Sequence, residues 1–143
     1  MSIDKFDGDN SYLSNFYPVI VEYKGMAYKT SEAAYQSAKS TSAHWKGICS
    51  SESSPGKIKK MAARIVLPAK WSTNKIRVMR EVLTCKFTQN RELAVQLIST
   101  YPEDLIEGNS HGDRFWGTVD GIGKNTLGKL LMEVRSELMD AGR

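Results

Sequence analysis

The sequence is poor in the residues that metal and redox chemistry need. Of its 143 residues only two are histidine and two are cysteine. His44, His111, Cys49 and Cys85 stand at no spacing that ligates zinc or forms a redox pair. That argues against a metal centre and leaves two free thiols, as a reducing cytoplasm would keep them. Long apolar runs are missing too. Stretches such as 19–21 and 65–67 fall far short of the roughly 20 residues of a membrane span, so no membrane association is expected. The acidic, polar start lacks the features of a secretory leader. Ser14 lacks the flanking glycines of a nucleophile elbow. The glycines after position 107 lead to no Gly-Lys-Ser/Thr and follow no buried strand, which excludes a Walker A loop and a dinucleotide fingerprint. No repeat, low-complexity tract or linker divides the chain, so one domain over 1–143 is expected.

Acidic charge is almost absent from one stretch. Residues 57–86 hold nine of the 20 basic residues and a single acid, Glu81. The segment nets +8 and the rest −4, within a total of +4. Two readings fit: solvated faces of two helices, or a patch that attracts the phosphates of a nucleotide or nucleic acid. Composition does not separate them.

What is present is an ordinary globular mix, 41% hydrophobic and 25% charged, long enough to bury one core. An irregular start leads to a small hairpin, residues 19–23 and 26–28, turning at Lys24-Gly25. Thr30 or Ser31 suits a helix N-cap, with the helix running to about Ser40. Residues 42–55 read as loop. Ser54 and Pro55 open a second helix with Ile58, Met61, Ala62 and Ile65 on one stripe, closed by Pro68. Ser72 caps a third, burying Ile76, Met79, Val82 and Leu83. Asn90 caps a fourth, with Leu93, Ala94, Leu97 and Ile98 inward, ended by Pro102. Residues 104–107 read as extended. A last helix from about Asn125 to Met139 buries Leu127, Leu130, Leu131, Val134 and Leu138. The expected class is mainly α with a small N-terminal β element.

Two features carry chemistry. The later helices place apolar side chains at i, i+3, i+4 and i+7, but the first places Glu32, Tyr35, Gln36 and Lys39 there, one face by geometry. Ala33, Ala34 and Ala38 leave its other side small enough to pack closely. A solvated face is the plain alternative, but tyrosine is a poor choice for one, and a tightly gripped helix suits a site scaffold. The second feature is the glycine-rich stretch from Glu107 to Asn125. Its glycines let backbone approach a ligand, Trp116 offers a stacking face, Asp113 and Asp120 supply carboxylates, and the helix beginning at Asn125 offers N–H groups to an anion. Trp71 reads equally as core or as a ligand wall.

These pieces, in this order, resemble the NADAR (YbiA-like) family over Phe6 to about Arg135. The match rests on Leu13-Ser14-Asn15-Phe16, then Gly25-x-x-Tyr28-x-Thr30-x-Glu32-x-x-Tyr35-Gln36-x-x-Lys39. It continues through Met79, Lys86-Phe87-x-Gln89-Asn90, Glu107, Asp113-x-x-Trp116-Gly117 and Gly123-x-Asn125-x-Leu127-Gly128-x-x-Leu131-Met132-x-x-Arg135. The chain departs from the family pattern at Lys70, Tyr101 and Val119.

The resemblance implies a single-domain NADAR fold and an N-glycosidase that hydrolyses a ribosyl C1′–N bond without metal or cofactor. Members of the family act on ribosylamino-pyrimidine phosphates of riboflavin synthesis, or remove ADP-ribose from guanine. The implied partner is a ribose-phosphate or ADP-ribose substrate, with ADP-ribosylated nucleic acid a possible ligand of segment 57–86. Such chemistry needs a carboxylate near the sugar and a proton donor for the leaving nitrogen. Glu32, Asp113 and Lys39 are the catalytic candidates, Lys39 as proton donor or as a nucleophile forming a Schiff base. Asn15, Phe16, Tyr35, Gln36, Trp71, Glu107, Trp116, Gly117, Asp120 and Asn125 are the candidate substrate-binding residues. The alternatives are a module that binds ADP-ribose or a nucleotide without cutting it, and an antitoxin-type interaction protein.

Overall fold

The computed structural model describes residues 1–142. In chain order the elements are β1 (Ser2–Ile3), a 3-10 helix (Gly8–Leu13), β2 (Val21–Tyr23), β3 (Met26–Tyr28), α1 (Ser31–Ser37), α2 (Ala43–Ser51) and α3 (Pro55–Ala62). Then come α4 (Trp71–Gln89), α5 (Arg91–Ser99), β4 (Asp104–Leu105) and α6 (Thr126–Ala141). The class is mainly α with a small N-terminal β element, as the periodicities imply. Two compact units form: Met1–Ser14 with the chain from Asn90 onward, and Asn15–Gln89.

In the first unit β1 pairs in parallel with β4, Ser2 opposite Asp104 and Ile3 opposite Leu105. The expectation of an irregular start missed both β1 and the 3-10 helix, because two-residue strands carry no periodicity. Helix α6 packs on α5 and β4 through Leu127, Leu130, Leu131 and Val134, all buried. Leu138 is only half-buried. Arg135 is buried on the same helix. Its Nη1 donates to Thr100 Oγ1 at 2.9 Å and to the Glu103 carbonyl at 2.8 Å, tying α6 to the turn after α5.

In the second unit the hairpin forms with the expected turn, its first strand shorter than 19–23 and beginning at Val21, and Lys24 and Gly25 are both at positive φ, 49° and 84°. Two left-handed residues in the loop suit the right-handed twist of the flanking strands. Helix α4 holds this hairpin at two points. The Gln89 side chain donates to and accepts from the Glu22 backbone, both at 2.8 Å. The Tyr23 hydroxyl donates to Glu81 at 2.7 Å.

The helices differ from the expected ones in three places. Residues 43–51 are helix, not loop: Ser42 caps α2 through the Trp45 N–H, and Trp45 and Cys49 are buried one turn apart. Helix α3 stops at Ala62, well before Pro68, and leaves Ile65 beyond its end. Helix α4 begins at Trp71, and its core stripe runs through Val78, Met79, Val82, Leu83 and Phe87 while Ile76 is exposed. Among the described residues no helix is long and apolar enough to cross a membrane.

Candidate active site

Helix α1 is held at both ends by polar contacts. Thr30 caps it, its side chain accepting from the Ala33 N–H at 3.0 Å. Asn15 braces the same end: its carbonyl accepts from the Glu32 N–H at 3.0 Å, and its Oδ1 from the Ser31 hydroxyl at 2.9 Å. The Asn15 amide lies 3.5 Å from the Met79 sulfur on α4. Ala33 and Ala34 are fully buried, so the helix backbone sits close to its neighbours. The other end is held from α2, where Trp45 Nε1 donates to the Gln36 carbonyl at 2.9 Å. Reading residues 42–55 as loop hid this contact. The Ser42 cap followed by Trp45 and Cys49 at i, i+4 is the signal that finds it.

The polar face of α1 is not a solvated one. Glu32 is 8% exposed, Tyr35 5% and Gln36 3%. Gln36 Nε2 donates to Glu32 Oε2 at 2.6 Å. Gln36 Oε1 is buried with no hydrogen-bond partner among the described residues. Lys39 stands just past the helix end, on a turn closed by its own N–H to the Gln36 carbonyl. Its Nζ lies 5.7 Å from the Tyr35 ring centre and 6.0 Å from that of Trp71. Those rings are tilted by 48° with centroids 5.6 Å apart. Trp71 is therefore both buried and a wall beside Lys39. Burial lowers the Lys39 pKa from the ordinary lysine value; the Glu32 charge opposes this, and Lys59 and Lys75 add to it. Phe16 is exposed, its ring edge within about 4 Å of where a side chain on Gly56 would project.

Lys39 and Trp71 also line a cavity of about 640 Å³ bounded by the hairpin turn, the end of α1, α2 and α4.

The remaining sequence-predicted residues belong to the other unit, where they hold one another. Asp113 Oδ1 accepts from the Phe115 and Trp116 N–H groups at 3.1 and 2.9 Å. Asn109 bridges Glu107 and the Asp113 backbone. Asn125, at φ 51°, accepts from the Glu107 N–H at 2.9 Å and donates to the Leu105 carbonyl at 2.8 Å. Gly117 is buried where any Cβ would collide with Glu107. Trp116 packs edge-on against Phe115, centroids 4.9 Å apart. Asp120 is exposed at positive φ, and with Glu107 it borders a second cavity of about 680 Å³. The expected anion seat at the start of α6 is not free: the N–H groups of Asn125, Thr126 and Leu127 donate to the carbonyls of Gly117, Phe115 and Trp116. The loop folds back and caps the helix with its own backbone.

Among the described residues no cluster of His, Cys, Asp or Glu is placed to hold a metal ion. What α1 offers is a buried carboxylate, a desolvated amine and an aromatic wall. Comparison with known proteins places the chain in a family. The NADAR domain model matches residues 4–139. N-glycosidase YbiA of Escherichia coli (strain K12) is 35% identical over 133 residues, 91% of this chain and 82% of the relative. Riboflavin biosynthesis protein VVA0006 of Vibrio vulnificus (strain YJ016) is 33% identical over 137 residues, 94% of this chain but only 37% of that longer protein. The solved NMR structure of the E. coli protein YbiA matches with a TM-score of 0.87 at 32% identity, over 99% of this chain and 86% of that one. The chain belongs to the NADAR domain family.

Proposed function

We infer that this protein is an N-glycosidase that hydrolyses the bond between ribose C1′ and a nitrogen. The observation that carries this is the α1 face, where buried Glu32 is held by Gln36 at 2.6 Å near a Lys39 amine lowered in pKa by burial. Cleaving a C1′–N bond puts positive charge on C1′ and needs a proton on the leaving nitrogen. Glu32 is assigned the positive charge. Gln36 positions it by donating its side-chain amide to the Glu32 carboxylate, and Asn15 by accepting the Glu32 N–H on its carbonyl. Tyr35 and Trp71 wall the sugar's side of the site, and exposed Phe16 is a further contact for the substrate.

Lys39 is assigned the nucleophile. A neutral amine attacks C1′ as the C1′–N bond breaks, and the proton its nitrogen loses goes to the departing amine. The sugar ring then opens to an imine on Lys39, and one water returns the lysine and the sugar with its phosphate or ADP group still attached. Net, one water is consumed and one C–N bond is cut. The lowered pKa supports this role, since more of the amine is neutral at a given pH than for a free lysine. Asp113, with Oδ1 occupied by two backbone N–H groups, is assigned to shaping its loop. Glu107, Trp116, Gly117, Asp120 and Asn125 are kept as loop-shaping or substrate-contacting groups rather than reacting ones.

The substrates to test are ribosylamino-pyrimidine phosphates and guanine-linked ADP-ribose on DNA. The name of the Vibrio relative favours the first, and the basic segment 57–86 is the reason to include the second in the panel. Glu32→Gln is expected to lose turnover about 10²-fold or more while binding persists, measured by product release across both substrates. Borohydride added during turnover by the native enzyme traps a ribosyl adduct on Lys39. A pure binding module shows no turnover to lose.

A further inference from the structure

The cavity beside Lys39 has a one-sided chemistry that the glycosidase reading does not use. Four cationic side chains line it: Lys24 from the hairpin turn, Lys39, Lys46 from α2 and Arg77 from α4. No Asp or Glu is among its lining residues. At about 640 Å³ it lies within the roughly 300–1,000 Å³ range of small-molecule sites.

The cations are arranged to stay there. Lys46 Nζ donates to the Ser37 carbonyl at 3.0 Å, which fixes its head group at the end of α1. Arg77 is steadied by Glu81 at 3.1 Å, and Glu81 in turn accepts from Tyr23. Burial lowers the pKa of Lys46, and the Lys24 charge pushes it down further. Lys39 is lowered in the same way, with Lys59 and Lys75 adding to the effect. Lys24 and Lys46 repel each other in this partly dehydrated recess, and Glu81 acts on Lys24 and Arg77 from outside the lining, so an entering anion supplies a counter-charge that the recess itself lacks.

We propose that this cavity is an anion site for a phosphate group, built from Lys24, Lys46 and Arg77 with Lys39 as the wall it shares with the α1 face. The identity of that phosphate as the substrate's own rests on the N-glycosidase reading; the anion site does not. Arginine and lysine heads supply the charge-assisted donors a phosphate takes.

Two substitutions test the cavity without unfolding it. Lys24→Asn removes a charge from an exposed residue at φ 49°, where Asn before Gly favours the turn, so the hairpin is expected to gain stability while anion binding falls. Lys46→Gln keeps a donor for the Ser37 carbonyl. Inorganic phosphate and ribose 5-phosphate are titrated at constant ionic strength and followed by amide shifts. Saturable binding is expected in the native protein and in Glu32→Gln, weakened about fivefold by each cavity variant. Linear, unsaturable shifts, or equal affinity in native and cavity variants, overturn the site. Kinetics separate the sources. Phosphate that competes with a phosphorylated substrate, together with cavity variants that raise KM and spare kcat, marks the substrate's own group. Phosphate that changes kcat alone marks a separate ligand. Saturable binding without turnover on any substrate sinks the glycosidase reading and leaves the anion site standing. Turnover with a flat titration does the reverse.

Discussion

Lys86 sits fully buried on α4, its Nζ 5.3 Å from the Phe87 ring centre and 5.9 Å from that of Tyr17. Burial pushes its pKa down from 10.5 to about 7. The unfolded chain therefore binds the extra proton between those values, so stability rises with pH across the interval, by at most about 1.4 kcal/mol per pH unit. Below about pH 7 both states are protonated and this contribution is flat. The rise is best read from pH 7 to 9. Above that, the Cys49 thiol, raised from 9.0 to about 11 by burial, acts the other way, because the native state then holds a proton the unfolded chain releases. Urea unfolding at pH 7 and pH 9 is expected to show the gain, and Lys86→Met to flatten it. Lys86 continues the stripe of Met79, Val82 and Leu83 at i, i+3, i+4 and i+7, but lysine's charge set it among the basic residues of the segment, so its burial was not read from that spacing.

Each element forms where local signals and packing agree. Thr30 carries the start of α1 by a single capping bond to Ala33, and a helix of seven residues has little else of its own to hold it. Thr30→Ala is expected to cost about 1 kcal/mol of stability, read from the urea midpoint. Because the cap sets where Glu32 stands, turnover should fall further than unfolding alone accounts for. The caps at Thr30 and Ser54 and the turn at Lys24-Gly25 were legible because each rests on neighbours in sequence. Helix α2 was not: its small and polar residues resemble loop composition, and only Trp45 and Cys49 reach the core. Pro68 suggests an end for α3 because proline cannot continue a helix. The helix had already ended at Ala62.

At the scale of the whole chain, the polar face of α1 was legible as a break in apolar periodicity, and its burial turns that anomaly into a constrained site. The cationic cavity was not legible. Lys24, Lys46 and Arg77 lie on separate elements and only Arg77 falls within the basic segment 57–86, so folding rather than sequence adjacency gathers the charge. The glycine-rich loop was read as an anion seat because its composition suits one, but its carbonyls take the N–H groups that an anion would have used. Gln36 Oε1 meets no donor among the described residues. A buried oxygen so placed costs on the order of 1–3 kcal/mol, and half-buried Lys39 adds to the burden. Both are residues a fold selected for stability alone would discard. A library randomised at positions 36 and 39 and sorted by protease resistance is expected to enrich methionine and leucine there. The winners should melt higher than the native protein and release no product. Keeping Gln36 and Lys39 at both positions would then be the imprint of selection for activity.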